Sequence, residues 1–401
     1  MKQWNSWTML TGTLAAFPDL ARVLSTSGIE RGFRTSLDIL FNGLDKETRK
    51  LIMKQTNLAG EGLDLAFSSR ALSMYDLENA FGVFSKLEKA TSKTSSIYFT
   101  YINMMNGWNT LMKGWASVVN GTRIIEVAEE WVTKGKISKV NLAKMQNAGI
   151  NKESARVIWE QYQKHGLGPK AKKADWKESR FAQIDEWDDE ARAVGEIFNK
   201  ALSKDLRMTI VTPSKGEVPL WFNTELGGVV VQFKKFAWAA TNKMMMRGLQ
   251  EKDMNFLGGL LLLLAAGATV DSIRTNAFDR SYRKKPFGDK LVNAFDRSGI
   301  AGILGDVNNV IERATDNTIG FRPMLGAGRP YSSYTTKNFM QGFGVLGPTS
   351  SQIGTIQDIM FDWGKGTHNH YTARNVRRLI PFQNIWYADK LFDQVEKGLR
   401  F

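Results

Sequence analysis

Apolar residues recur at three- and four-residue intervals along most of this chain, while strict alternation of apolar and polar positions is rare. Within Leu37–Met53 the positions Leu37, Leu40, Phe41, Leu44, Leu51 and Ile52 fall at helical spacing, and Asp45 sits where an N-cap would start the second half. The same period returns in Leu72–Leu87, Ile124–Val132, Ala155–Tyr162 and Glu190–Leu206. The pattern predicts an all-α chain, an extended multi-helix bundle. Its glycines gather between Gly299 and Gly366, which predicts short helices and long loops in an irregular C-terminal third.

Two breaks interrupt the periodicity. Gly166–Lys173 reads Gly-Leu-Gly-Pro-Lys-Ala-Lys-Lys, a breaker cluster meeting a charge run. It predicts a basic linker over 166–175, between an N-terminal helical domain (1–165) and a C-terminal helical domain (176–401). Thr212–Pro219, bracketed by Pro213 and Pro219, is expected to be an exposed loop. The hexapeptide Asn-Ala-Phe-Asp-Arg-Ser occurs at Asn276–Ser281 and again at Asn293–Ser298, either by chance or as two equivalent helix ends.

The most apolar part of the chain lies in 229–270. Met254–Val270 carries no charge and contains Leu260, Leu261, Leu262, Leu263 and Leu264 in succession. At ~1.5 Å per residue it would reach roughly 25 Å, short of the ~30 Å hydrocarbon core of a bilayer. It fits either the central helix of a bundle or a segment inserting into a thinned bilayer, and a protein that moves between the two states would satisfy both. The preceding Val229–Gln250 places Phe233, Phe236, Ala237, Ala240, Met244 and Met245 on one side, with Lys234, Lys235, Lys243 and Arg247 elsewhere. That is a basic amphipathic helix suited to an anionic lipid surface. Thr94–Thr122 holds Lys113 as its one charge and carries Tyr98, Tyr101, Trp108 and Trp115, residue types favoured at membrane interfaces.

Composition narrows the chemistry. The chain has 401 residues, a formal net charge of +14 and no cysteine, which removes disulfides, thiolate nucleophiles and zinc–cysteine sites. The positive balance favours polyanionic partners, nucleic acid or anionic lipid. Met1–Leu24, with Trp4 and Trp7, lacks the compact apolar run of a signal peptide and reads like the interior of a packed helix, as in a segment of a longer protein.

Catalytic patterns are weak. Gly342, Gly344 and Gly347 match a dinucleotide fingerprint without a preceding strand, and Gly364–Thr367 echoes a phosphate loop without its upstream glycine. His368 and His370 have no carboxylate cluster nearby, and Asp185, Glu186, Asp188, Asp189 and Glu190 read as a solvated helix start. No cofactor, metal or enzymatic activity is expected. Leu142–Gln161 has the outline of a helix-turn-helix, with a turn at Ala148-Gly149-Ile150, Asn151 as N-cap, and Lys152 and Arg156 on the second helix. Helical hairpins of this kind are common in bundles, so the signal for DNA reading is weak.

Several ordered strings in the second half are more specific. They are Thr212-Pro213 through Pro219-Leu220-Trp221; Val231–Ala237 with Thr241-Asn242; Asp296–Gly299 running into Asp306–Asn309; Leu346-Gly347-Pro348; and Arg377–Asn384 ending in Trp386-Tyr387. Over roughly Ile137–Phe401 the chain resembles the internal virion, or DNA-ejection, proteins of short-tailed bacteriophages, in particular the C-terminal region of the large ejection protein. The resemblance implies packaging beside the portal with other core proteins, non-specific contact with phage DNA, and a homo-oligomeric passage across the host periplasm and inner membrane. On that view Lys234, Lys235, Lys243 and Arg247 contact anionic lipid and Leu260–Leu264 insert. Arg283, Lys284, Lys285, Arg377 and Arg378 are the candidate phosphate contacts. Some relatives carry a murein-cleaving domain, but its catalytic glutamate matches no position here. The alternative is a soluble DNA-coating core protein whose apolar helix stays in its bundle.

Overall fold

The computed structural model describes residues 19–28, 30, 32–35, 46–58, 105–171, 178–210, 218–224, 227, 234–235, 238–243, 254–278, 286–328, 348–366, 370–380 and 389–398. Of this part 80% is helical and none lies in a strand, so the chain is all-α. The expected helix at Leu72–Leu87, the glycine pattern at Gly342–Gly347 and the residues around Trp4 and Trp7 fall outside the described residues.

The helices are α1 (Asp19–Ser27), α2 (Lys46–Leu58), α3 (Met105–Lys134), α4 (Lys139–Asn147), α5 (Lys152–His165) and α6 (Arg192–Thr209), then α7 (Met254–Phe278), α8 (Phe287–Ser298), α9 (Gly302–Ala314), α10 (Phe321–Met324), α11 (Pro348–Gly364), α12 (His370–Leu379) and α13 (Asp389–Gly398). Ile124–Val132, Ala155–Tyr162 and Glu190–Leu206 form α-helix as their spacing predicts, apart from the tight turn at the start of the last.

The 30-residue α3 is the axis of the first half. From Met112 to Ala128 every residue except Glu126 is buried, including polar ones. Helices α1, α2, α5 and α6 surround it. Its apolar side chains Met112, Ile124 and Ile125 meet Ile158 and Tyr162 of α5 and Phe198 and Leu202 of α6 in one cluster. Each such side chain contributes about 1.5–3 kcal/mol on burial. The buried polar groups of α3 are tied sideways: Asn120 Nδ2 donates to Thr209 Oγ1 at 3.4 Å, Arg123 pairs with Asp205, and Thr122 Oγ1 accepts from the Arg180 amide at 3.0 Å. Helix α2 lies close because position 121 is glycine; a Cβ there would meet Gln55 Nε2 at 2.3 Å. That Gln55 nitrogen instead donates to the Ser117 carbonyl at 2.9 Å.

The stretch predicted as a linker is fastened to the core where it is described. Leu167 and Phe181 exchange both backbone hydrogen bonds, at 3.0 and 2.9 Å, and Tyr162 donates to the Pro169 carbonyl at 2.8 Å. Lys170 and Arg180 both reach Glu129 on α3. Burial alone would raise the Glu129 carboxyl, but these two cations hold it below the usual carboxylate range. The apolar core therefore continues from α5 across this stretch into α6, and packing does not divide the chain at 166–175. Trp108 and Trp115, residue types that suit either a membrane interface or a core, pack in the core, and Lys113 is buried with them. Tyr98 and Tyr101 lie outside the described residues.

Helix α1 joins this core to the second half, contacting α3 on one side and α7 on the other. Helix α7 packs most extensively on α8, where Gly267 permits backbone contact: a Cβ there would sit 2.1 Å from the Ala294 carbonyl oxygen and 2.8 Å from the Ser298 nitrogen. The second copy of the hexapeptide closes α8 at Ser298; Asn276-Ala277-Phe278 of the first copy lie in α7, and the rest of that copy lies outside the described residues. Gly267→Ala should force α7 and α8 apart and lower stability by about 1–3 kcal/mol, as overpacking does. Gly364→Ala, with open space around it, should be near neutral, and urea midpoints followed by circular dichroism will compare the two.

Candidate functional site

Helix α7, uncharged from Met254 to Val270, is two-sided. Leu263 is 1% exposed, and with Gly259, Gly267, Val270 and Asp271 it forms the buried stripe. Leu257, Leu261, Ala265, Thr269 and Ile273, one every fourth residue, form an exposed stripe, with Leu261 at 68%. Leu260, Leu262 and Leu264 lie between. The leucine block is thus divided by the helical period: one member is locked in the packing and one faces outward. Among the described residues no helix is long and apolar enough to cross a membrane. The buried Asp271 accepts from Arg297 Nε at 3.2 Å and from Asn293 Nδ2 at 3.4 Å, clamping the end of α7 to α8.

The predicted cationic contacts are not gathered on one surface. Lys234 pairs with Asp306 at 2.7 Å, both side chains largely covered. Lys243 is buried and donates to the Arg207 carbonyl at 3.1 Å, in the last turn of α6, where a cation satisfies an orphan acceptor. Lys235 is half-buried. Arg377, expected to contact phosphate, is buried between Asp393 and Glu396 of α13, with Glu396 Oε2 at 3.0 Å. Arg378 donates to Asn375 Oδ1 at 3.3 Å, and burial together with neighbouring Arg374 lowers its pKa. Arg247, Arg283, Lys284 and Lys285 lie outside the described residues. The acidic partners are remote in sequence from the cations they hold, so local charge runs did not reveal the pairing.

A further cluster went unnoticed in the sequence. Arg322, on the short α10, lies among Asp289 and Asp296 of α8 and Glu312 of α9, at 3.8, 3.6 and 3.7 Å. Glu312 also accepts from the Arg322 amide and from Asn308 Nδ2, both at 2.8 Å. One guanidinium thus binds two helices to the turn between α9 and α10. Burial, reinforced by Glu312 and Asp306, pushes Asp296 up to about 6 against the pull of Arg322 and Arg297.

The helix-turn-helix outline is present as a hairpin. Asn151 caps α5, its Oδ1 accepting from the Ser154 amide at 2.8 Å. The outer face of α5 mixes signs, with Arg156 beside Glu160 at 3.8 Å and Glu153 exposed, while its inner face packs on α3. In the acidic run Asp188 binds Gln161 at 2.7 Å and Lys164 at 2.9 Å, and Asp185 binds Lys54 at 2.6 Å. Among the described residues no group of three or more histidines or acids is placed to hold a metal ion.

The most prominent feature is exposed apolar surface after residue 254. Leu304, Val307 and Ile311 line α9; Phe287, Ile319, Phe321, Met324 and Leu325 surround α10; and Ile353, Ile356, Met360 and Trp363 recur on α11 at spacings of three and four. In contrast, the cluster around α3 is drawn from residues before 211. Large uncovered apolar areas mark contact with another protein or with lipid. Comparison with known protein families, curated proteins and solved structures returns no match.

A carboxyl whose folded-state pKa lies above its unfolded value weakens the fold above that folded value and ceases to do so as pH falls. The chain should therefore gain stability between about pH 7 and pH 4 through Asp296. Asp296→Asn should raise the urea midpoint at pH 7.5 and match the parent near pH 4, and paired denaturation curves check both.

Proposed function

We propose that this chain is a non-enzymatic internal virion protein of a short-tailed phage that acts at the host envelope, where it oligomerises and contributes to a conduit for phage DNA. The observation that carries the reading is the contrast between a covered core before residue 211 and the exposed apolar side chains on α7, α9, α10 and α11. A bilayer is a suitable medium for such faces, and a formal net charge of +14 favours anionic headgroups. The motif strings between Thr212 and Tyr387 support the assignment to this family. In this reading the protein is stored in the virion with the portal and other core proteins and meets the inner membrane on ejection. Contact through the Leu261 face leaves α7 on the surface of the bilayer, and insertion requires the α7–α8 packing to open.

A soluble DNA-coating protein is favoured by the net charge alone. The internal pairing of Arg377, a candidate phosphate contact, weighs against it, because that cation already has acidic partners within the chain.

Flotation with vesicles containing phosphatidylglycerol tests the proposal. The chain should float, and Leu261→Asp should reduce flotation by about tenfold, since it removes an exposed leucine from the face that meets the acyl boundary and sets an anion against anionic headgroups. Leu261 is exposed, so this variant should keep its helical content, whereas Leu263→Asp should unfold the α7–α8 pair. No flotation, together with DNA binding that falls steeply with salt, would establish the coating alternative instead.

A further inference from the structure

The α11–α12 hairpin is built inside out. On α11 the buried positions include Gln352, Thr355 and Ile359, while the exposed ones include Ile353, Ile356, Met360, Phe361 and Trp363. On α12 the buried positions are Thr372, Ala373, Asn375 and Arg377. Polar groups meet between the helices: Thr372 Oγ1 donates to Asp362 Oδ2 at 2.7 Å, and Arg377 reaches across to Glu396 of α13 at 3.0 Å. A helix in water carries its polar residues outward. Helices that associate in lipid use polar side chains as the glue between them and turn apolar ones outward.

Two cations of this hairpin face outward while Arg377 is turned in. Asp362 is turned inward to Thr372, whereas Lys365 and Arg374 are exposed. Lys365 Nζ lies 4.0 Å from the centroid of the Phe361 ring, so a cation and an aromatic face are presented together. Tyr371 is exposed close by. Tryptophan, tyrosine and lysine beside an aliphatic stripe are the residue set of a membrane interface. At ~1.5 Å per residue α11 is about 25 Å long, too short to cross ~30 Å of hydrocarbon upright but suited to lying in the interfacial plane.

We infer that the α11–α12 hairpin is a docking site for an anionic bilayer, with the Ile353–Trp363 face of α11 in the acyl boundary and Lys365, Tyr371 and Arg374 among the headgroups. The occupant is lipid because inward polar groups, outward aliphatic and aromatic groups, and cations at the rim are complementary to that medium. The inference rests on the bilayer reading above and gives it a second contact, independent of Leu261.

The absence of native cysteine allows a clean test on the full chain. Phe361→Cys and, as a control on the outer face of α5, Arg156→Cys are each labelled with an environment-sensitive nitrobenzoxadiazole dye. With vesicles of phosphatidylglycerol and phosphatidylethanolamine, the dye at 361 should shift to the blue and brighten by about threefold, while the dye at 156 stays as in water. Phosphatidylcholine vesicles should give a weaker response. In the unlabelled chain Met360→Asp with Trp363→Asp should reduce flotation by about tenfold while retaining helical content. A chain that floats while the 361 dye remains water-like would overturn this inference and leave the proposed function standing. A chain that does not float removes both. Brightening at 361 with protein concentration alone, without vesicles, would make a second copy of the chain the occupant and overturn the lipid assignment.

Discussion

Apolar surface that folding does not cover is the constraint around which this molecule is arranged. Around α3 the requirement is met internally: a 30-residue helix lies among four others, and its buried asparagine, threonine and arginine find partners on α6 and the 178–181 segment. Beyond residue 254, α7, α9, α10 and α11 carry apolar side chains that the described residues leave exposed. Helix α7 shows the conflict within one element, because Leu263 and Gly267 pack against its neighbours while Leu257, Leu261 and Ile273 face away from them. Water is a poor medium for that arrangement, and an anionic bilayer is a better one.

Electrostatics follows the same division of labour. The net charge is strongly positive, yet Lys234, Lys243, Arg322 and Arg377 serve to fasten helices to one another rather than to present charge. A buried guanidinium without partners would cost several kcal/mol, so each cation is matched by acids or by a backbone carbonyl. The Arg322 cluster holds three carboxylates near one arginine, and desolvation, with smaller contributions from Glu312 and Asp306, pushes Asp296 up to about 6. Mild acidity would relieve it and tighten α8 against α9 and α10.

Much of the fold was readable from the chain itself, and the failures share a cause. Helical spacing foretold the Ile124–Val132 part of α3, most of α5 and most of α6, and Asn151 was readable as the cap of α5 because capping is a local property. At 166–171 the breaker cluster read as the start of a linker lies against the core, because glycine and proline also occur where the backbone must press against packed side chains, as at the Leu167–Phe181 bridge. Cation roles failed for a different reason. Lys234 finds Asp306 and Arg377 finds Glu396 only after folding, and no window of sequence contains the pairing geometry. The outward face of α11 was visible in principle, since Ile353, Ile356, Met360 and Trp363 follow helical spacing, but spacing alone does not say whether a stripe points in or out.

Hydrogen exchange of the full chain, with and without phosphatidylglycerol vesicles, addresses the central claim most directly, because it reads every helix at once. The account predicts new protection in 257–273 and 353–363 on adding vesicles, with 112–128 already protected and unchanged. Identical exchange in both segments with and without lipid would contradict it.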